Sequence, residues 1–178
     1  MSSGPAGLRP ISTADVSACR AVFDAAQEAL SQQLAQPWTP ADATIMDRLL
    51  AHLARSDPER AWMAAGRGRA PAQGFAMAFE RDGFWFLSFL FVRPEAQGAG
   101  LGRRLLEACL PAPHERRLLA TCVDAMQPVS TALYAGYGIV PRVPLFGLLG
   151  DLAAEGLPRL PRGVVALEFD RLADGEGA

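Results

Sequence analysis

Lysine and asparagine are both absent from the 178 residues, so all 17 basic residues are arginine. Without lysine there is no P-loop lysine, no Schiff-base chemistry and no Ser-x-x-Lys nucleophile pair. Histidine is scarce. His52 and His114 are the two present, too few and too far apart for a dedicated metal site. Cys19, Cys109 and Cys122 are odd in number, far apart and without a Cys-x-x-Cys spacing. They are expected as buried thiols in a reducing compartment rather than as disulfides. No apolar run is long enough to cross a bilayer as a helix. Even Phe84–Val92 is short, and Ser88 interrupts it. The N-terminus lacks the cationic start and apolar stretch of a signal peptide. No block of like charge occurs, and a net charge of −2 supplies no electrostatic footprint for nucleic acid. The expectation is a cytoplasmic protein of one domain, residues 1–178 with a core at about 8–170, using no nucleic acid, membrane or metal.

Hydrophobic spacing outlines the elements. Leu8–Ser12 predicts a short strand, and Ser12-Thr-Ala-Asp15 has the form of a capping box. Val16, Cys19, Phe23, Ala26, Leu30 and Leu34 recur at helical spacing. Gln36-Pro-Trp38 breaks that helix. Thr39 with Pro40 predicts the start of a second, whose apolar face carries Ile45, Met46, Leu49, Leu50 and Leu53. Ala61–Ala65 predicts a strand. Phe75, Met77 and Phe79 alternate with smaller or polar residues, Asp82-Gly83 signals a hairpin, and Phe84–Val92 predicts a central strand buried on both faces. A glycine-rich turn then opens a helix carrying Leu101, Leu105, Leu106, Cys109 and Leu110. Arg117–Val123 predicts a strand, Val129–Tyr137 a helix, and Ile139–Leu149 and Val164–Phe169 two last strands. This order means an α/β fold with a mixed sheet.

The turn Gln97-Gly-Ala-Gly-Leu-Gly102 is where chemistry concentrates. Backbone N–H groups at a helix start are unpaired, the helix dipole adds positive potential, and glycines let an anion approach. Between Arg93 and Arg117 lie five arginines and three glutamates, so positive charge gathers here on an acidic chain. A dinucleotide fingerprint requires G-x-G-x-x-G, whereas this turn reads G-x-G-x-G with Arg103 in the last place. A tight turn before an ordinary capped helix is a second reading, although three alternating glycines exceed what capping needs.

The neighbouring residues give a third. Val92-Arg-Pro-Glu-Ala-Gln97-Gly98-Ala99-Gly100-Leu101-Gly102-Arg-Arg-Leu-Leu resembles the acetyl-CoA motif of the GNAT superfamily of N-acetyltransferases. That motif runs Arg or Gln, two residues, Gly, one residue, then Gly or Ala, and Gln97, Gly100 and Gly102 match it. Leu133-Tyr134-Ala-Gly-Tyr-Gly138-Ile139 resembles a second family stretch, Leu-Tyr-x-x-x-Gly-Phe, with Ile139 in place of Phe. The resemblance covers about residues 8–170. It implies a mostly antiparallel mixed sheet flanked by helices, with a splayed central strand pair.

It also implies roles. The pyrophosphate of acetyl-CoA would rest on the amides of Gln97, Gly98, Ala99, Gly100, Leu101 and Gly102, with Arg103 close by. Its pantetheine would run beside Leu90, Phe91 and Val92, an amide near Phe91 or Val92 polarising the thioester carbonyl. Tyr134 would give a proton to the leaving thiolate. Gln127 stands where the family often has a cofactor-contacting Asn, and Ser130 follows it as a further contact. An amine, from a small molecule or a peptide, would attack directly in a ternary complex. Its general base would be Asp124, Glu80 or water, Glu80 being otherwise a solvated strand-end carboxylate. The loop Ser31–Thr39, with Gln36 and Trp38, would line the acceptor site. The apolar segment Val140–Leu148 would form its other wall or a homodimer contact. An acyl-CoA-binding module with little or no catalysis is the alternative function.

Overall fold

The strands follow the period-two signals closely. Five of them form one sheet in chain order: β1 (Arg9–Pro10), β2 (Ala61–Ala64), β3 (Gly74–Arg81), β4 (Phe84–Val92) and β5 (Leu118–Thr121). The first four pair antiparallel, and β5 runs parallel to β4. The helices are α1 (Val16–Gln33), α2 (Ala43–Ser56), α3 (Leu101–Cys109) and α4 (Pro128–Ala135). The computed structural model describes residues 7–66, 70–112, 117–145 and 162–163. Contacts divide the chain into two compact units, Met1–Arg142 and Val143–Ala178, and every helix and strand given above lies in the first.

Asp82-Gly83 joins β3 to β4 with positive φ at both residues, +50° and +80°, the turn whose twist matches that of the paired strands. Helices α1 and α2 bury one face of the sheet through Cys19, Val22, Leu50, Met63, Phe75 and Met77. Helix α3 buries the other through Leu105, Leu106 and Cys109 against Ala76, Trp85 and Leu87. Trp85 is wholly buried and its indole N–H donates to the carbonyl of Cys109 at 2.9 Å, fixing α3 to β4. One carboxylate lies in the interior among the described residues. Asp57, 3% exposed, accepts both guanidinium nitrogens of Arg81 at 2.6 and 2.8 Å. That pairing holds its carboxyl below the usual range against the opposing effect of burial.

Several expectations are corrected. Helix α2 starts at Ala43, not at Pro40, because Asp42 rather than Thr39 caps it. The Asp42 carboxylate accepts from the N–H groups of Thr44 (2.8 Å) and Ile45 (3.0 Å) and adds negative charge at the positive helix end. Strand β1 shrinks to two residues. No strand forms over 139–145, where Pro141 and Pro144 cannot donate to a ladder. Residues 146–149 and Val164–Phe169 lie outside the described residues. Cys19 and Cys109 are buried as expected, but Cys122 is exposed. Strand β4 is not buried on both faces. Trp85, Leu87 and Phe89 are buried while Phe84, Phe86, Ser88 and Leu90–Val92 are half-buried.

Candidate active site

The site begins with one extra residue. Met77 pairs with Phe89 and Ala78 with Leu87, so Ser88 bulges out of β4. The pairing of β4 with β5 stops at the same place, at Leu87 and Thr121. The Thr121 hydroxyl donates to the Leu87 carbonyl at 2.9 Å and closes off the ladder there. From Ser88 onward β4 has no strand partner on its β5 side among the described residues. This leaves an open edge, a slot along β4 past the point where β5 ends at Thr121.

Backbone directions along the slot follow from two hydrogen bonds. The Arg93 N–H donates to Gln73 O (2.9 Å), toward β3, and the Val92 carbonyl accepts from the Gln97 side chain (2.9 Å), away from β3. Since backbone groups alternate along an extended strand, Leu90 and Val92 face the slot. Phe91 faces β3, and its ring packs edge-on against Phe23 at 4.8 Å. Of the two amides expected there, that of Val92 is the one aimed away from β3, with Leu90 as its neighbour. Phe91 is a packing residue.

The glycine turn closes one end of the slot. Gly98 and Gly100 have φ of +78° and +76°, and a Cβ added at either meets no atom within 4 Å. Glycine is required there by backbone conformation, and the space before it is open. Gly100 is the N-cap of α3, and the N–H of Arg104 is the first to reach an intrahelical carbonyl, that of Gly100 at 3.2 Å. The N–H groups of Leu101, Gly102 and Arg103 precede it and are the helix's spare donors. Ala99 is exposed between the glycines. At Gly102 the slot, α3 and α4 meet. A Cβ there would stand 3.8 Å from Val92 Cγ2 and 4.0 Å from Leu133 Cδ2. Gln97 serves locally, its side chain fastening the turn to the end of β4. Arg103 lies beside Tyr137, whose hydroxyl donates to Glu107 at 2.5 Å.

Tyr134 sits on α4, 7% exposed, in the same apolar cluster as Leu90, Val92, Leu101 and Leu133. Burial pushes its hydroxyl up to about 12. The hydroxyl has no hydrogen-bond partner among the described residues. Gln127 is the N-cap of α4, and its carbonyl accepts from the Thr131 N–H (3.1 Å) and hydroxyl (3.0 Å). Ser130 is half-buried one turn on.

The two carboxylates separate clearly. Asp124 is exposed in the turn between β5 and α4, three residues past the last β4–β5 pair, and accepts from the Met126 N–H at 2.8 Å. Glu80 is not a solvated strand end. It pairs with Trp85, upstream of the bulge, and its carboxylate is clasped by Arg60 and Arg117. It belongs to the far end of the sheet. In the loop after α1, Trp38 is half-buried and Gln36 exposed. Residues 140–145 are exposed coil, and 146–148 lie outside the described residues. No group of three or more metal-ligating side chains occurs among the described residues. Sequence reasoning missed Ser88 and Thr121, which set where the slot opens. The one signal was a lone serine in an otherwise apolar run.

Residues 23–139 match the profile of the Acetyltransferase (GNAT) family. No curated protein matches the sequence. Among solved structures, the chain is similar to the tetramutant of the BH1408 protein from Bacillus halodurans at 13% identity. The TM-score is 0.60, covering 80% of this chain and 98% of that one. It is similar to diaminobutyrate acetyltransferase EctA from Paenibacillus lautus, solved with L-2,4-diaminobutyric acid and coenzyme A, at 17% identity. There the TM-score is 0.53, over 73% and 72% of the two chains. It is also similar to Ard1 from Thermoplasma volcanium at 20% identity, with a TM-score of 0.56 over 76% and 83%. At these identities the likeness concerns the fold. No helix among the described residues is long and apolar enough to cross a membrane.

Proposed function

The chain belongs to the GNAT acetyltransferase family, and on that premise we propose that it transfers an acetyl group from acetyl-CoA to an amine in a ternary complex. The observation that carries this is the meeting, at Gly102, of a half-open strand with an anion-receptive helix start. The residues present fit the group. The spare N–H groups of Leu101, Gly102 and Arg103 and the open space before Gly98 and Gly100 suit a pyrophosphate. The slot-facing amides of Leu90 and Val92 suit an amide-bearing arm. EctA, with the same fold, binds coenzyme A and a small diamine, which supports the same pairing of ligands here.

Acetyl-CoA supplies an activated thioester, and the chain's own groups do the rest. The Val92 N–H, aimed into the slot, donates to the thioester carbonyl where negative charge develops. Tyr134 gives a proton to the departing sulfur. Its burial keeps the hydroxyl protonated throughout the physiological range, the state a donor needs. Asp124 takes the amine's proton directly or through water, and its exposure suits the second route. Gln127 and Ser130, at the start of α4, contact the arm, and Arg103 adds charge near the phosphates.

Calorimetric titration with acetyl-CoA, followed by an amine panel read as released thiol, tests the proposal. Saturable binding with turnover supports it. Absence of any binding to CoA species overturns it. Binding without turnover on any amine would make the chain an acyl-CoA-binding module.

A further inference from the structure

The Tyr134 hydroxyl can serve the slot only if α4 stands still, and among the described residues little packing holds α4. The helix has eight residues, too few to persist without tertiary support. Tyr134 is its one buried residue. Leu133 is half-buried beside Gly102, while Val129 is 78% exposed. The turn that follows is better fixed. The Tyr134 carbonyl accepts from the N–H groups of both Tyr137 (2.9 Å) and Ile139 (3.1 Å), and Gly138 turns the chain with a φ of +79°. Tyr134 and Tyr137 therefore belong to one closed turn, and whatever pins the second locates the first.

The second is pinned to α3. Its phenol donates to Glu107 Oε1 at 2.5 Å, with Arg103 of the same helix beside it. Among the described residues this is the one side-chain hydrogen bond from 128–139 to another helix or strand. Next to it, between α3 and β5, lies a cavity of about 520 Å³ bordered by Leu110, Leu119 and Tyr137. Packing does not fill that space, so the carboxylate holds the ring at its edge. A bond to a charged acceptor is among the stronger single contacts, and on a short, sparsely packed helix one contact governs position. Glu107 stands on α3 five residues after Gly102. The bond thus sets α4 against the same helix whose start forms the cradle.

We infer that Tyr137 and Glu107 are positioning residues of the transferase, a tether between α4 and α3 that keeps the Tyr134 hydroxyl at the slot. This rests on the reading of Tyr134 as proton donor. The whole chain is labelled with carbon-13 at tyrosine Cζ and followed by NMR. Tyr134 and Tyr137 are its two tyrosines, so Tyr137→Phe leaves a single line. At about pH 10.5 an ordinary phenol is mostly ionised, whereas wild-type Tyr134 stays neutral because burial holds it near 12. Tyr137→Phe and Glu107→Ala are expected to lower the Tyr134 midpoint by at least about one pH unit, toward that of an exposed phenol. Glu107→Gln keeps an acceptor oxygen and is expected to leave it at the wild-type value. Turnover is read on spermidine, 2-phenylethylamine and an unblocked peptide. On whichever is acetylated, kcat falls about 10-fold or more in the two disruptive variants, the scale of a displaced catalytic group. The acetyl-CoA Kd stays within about 3-fold, Glu107→Gln keeps the wild-type kcat, and Tyr137→Phe added to Tyr134→Phe costs nothing more. Absence of acetyl-CoA binding, of turnover on all three amines, or of any effect of Tyr134→Phe overturns the underlying reading. With those in place, the tether alone is overturned by any of three results. They are a Tyr134 midpoint that the two disruptive variants leave unmoved, a loss that Glu107→Gln shares, and a loss that adds to that of Tyr134→Phe.

Discussion

The anion cradle makes a prediction with a built-in control. Gly100 and Gly83 have nearly the same φ, +76° and +80°, and an added Cβ meets nothing within 4 Å at either. Alanine at each position therefore suffers the same left-handed strain and no clash, about 1–2 kcal/mol. For a chain of this size that lowers the melting temperature by roughly 2–8 °C, equally in both variants. The two sites differ in what lies before them. Gly83 is in the β3–β4 hairpin, whereas Gly100 caps α3 in front of its spare N–H groups. On the proposed reading, a methyl group there stands where the pyrophosphate must approach. Losing one charge-assisted hydrogen bond, worth about 1.5–3 kcal/mol, weakens acetyl-CoA by roughly 10- to 100-fold in Gly100→Ala and not at all in Gly83→Ala. Calorimetry for Kd and differential scanning calorimetry for stability decide the matter. Equal losses of stability with unchanged Kd in both variants would show that the turn is a turn and nothing more.

Tyr134→Phe is expected to lower kcat by about 100- to 10,000-fold while the acetyl-CoA Kd stays within about 2-fold, read by stopped-flow thiol release. Because burial holds the Tyr134 hydroxyl near 12, the wild-type rate should show no alkaline decline from this group below about pH 11. The carboxyl of Asp57 is depressed in the folded state by Arg81, so its contribution to stability is full above the unfolded carboxylate range. It is lost as pH falls through the lower folded value. Urea midpoints should drop below about pH 4 in wild type and much less in Asp57→Asn, which starts from a lower midpoint. Trp85→Phe orphans the buried Cys109 carbonyl and should cost about 1–3 kcal/mol by urea unfolding. A thiol reagent should label Cys122 quickly in native protein and reach Cys19 and Cys109, buried and pushed up to about 12, only on unfolding.

Most of the scaffold was legible because its signals are local. Asp82-Gly83 between two apolar runs, the periodic faces of α1 and α2, and the glycine turn before α3 each carry their own turn or cap chemistry. The misses are non-local. Asp42 displaced Thr39 as the cap because a carboxylate two residues before Thr44 reaches two donors at once, which residue preference alone does not decide. Glu80 read as a solvated strand end until folding brought Arg117 from 37 residues away. Phe91 and Val92 are adjacent in sequence and turn their backbone groups opposite ways, since only hydrogen-bond phase assigns one to β3 and the other to the open edge. That phase depends on the Ser88 bulge. A serine can sit in a strand without bulging, and only the pairing register distinguishes the two cases.

The bulge has a consequence for the protein when it is empty-handed. Past Ser88, β4 presents a stretch of ladder with no strand partner on its β5 side among the described residues, the kind of backbone that recruits stray strands and seeds aggregates. Here the vacancy is short. Leu90 and Val92 alone turn their groups outward, and Gln97 already occupies the Val92 carbonyl. Too few rungs are left for another polypeptide to zip into, since strands usually run five or six residues. The same gap offers enough docking points for a slender amide chain. By rationing its open rungs, the sheet admits a thread and refuses a ribbon.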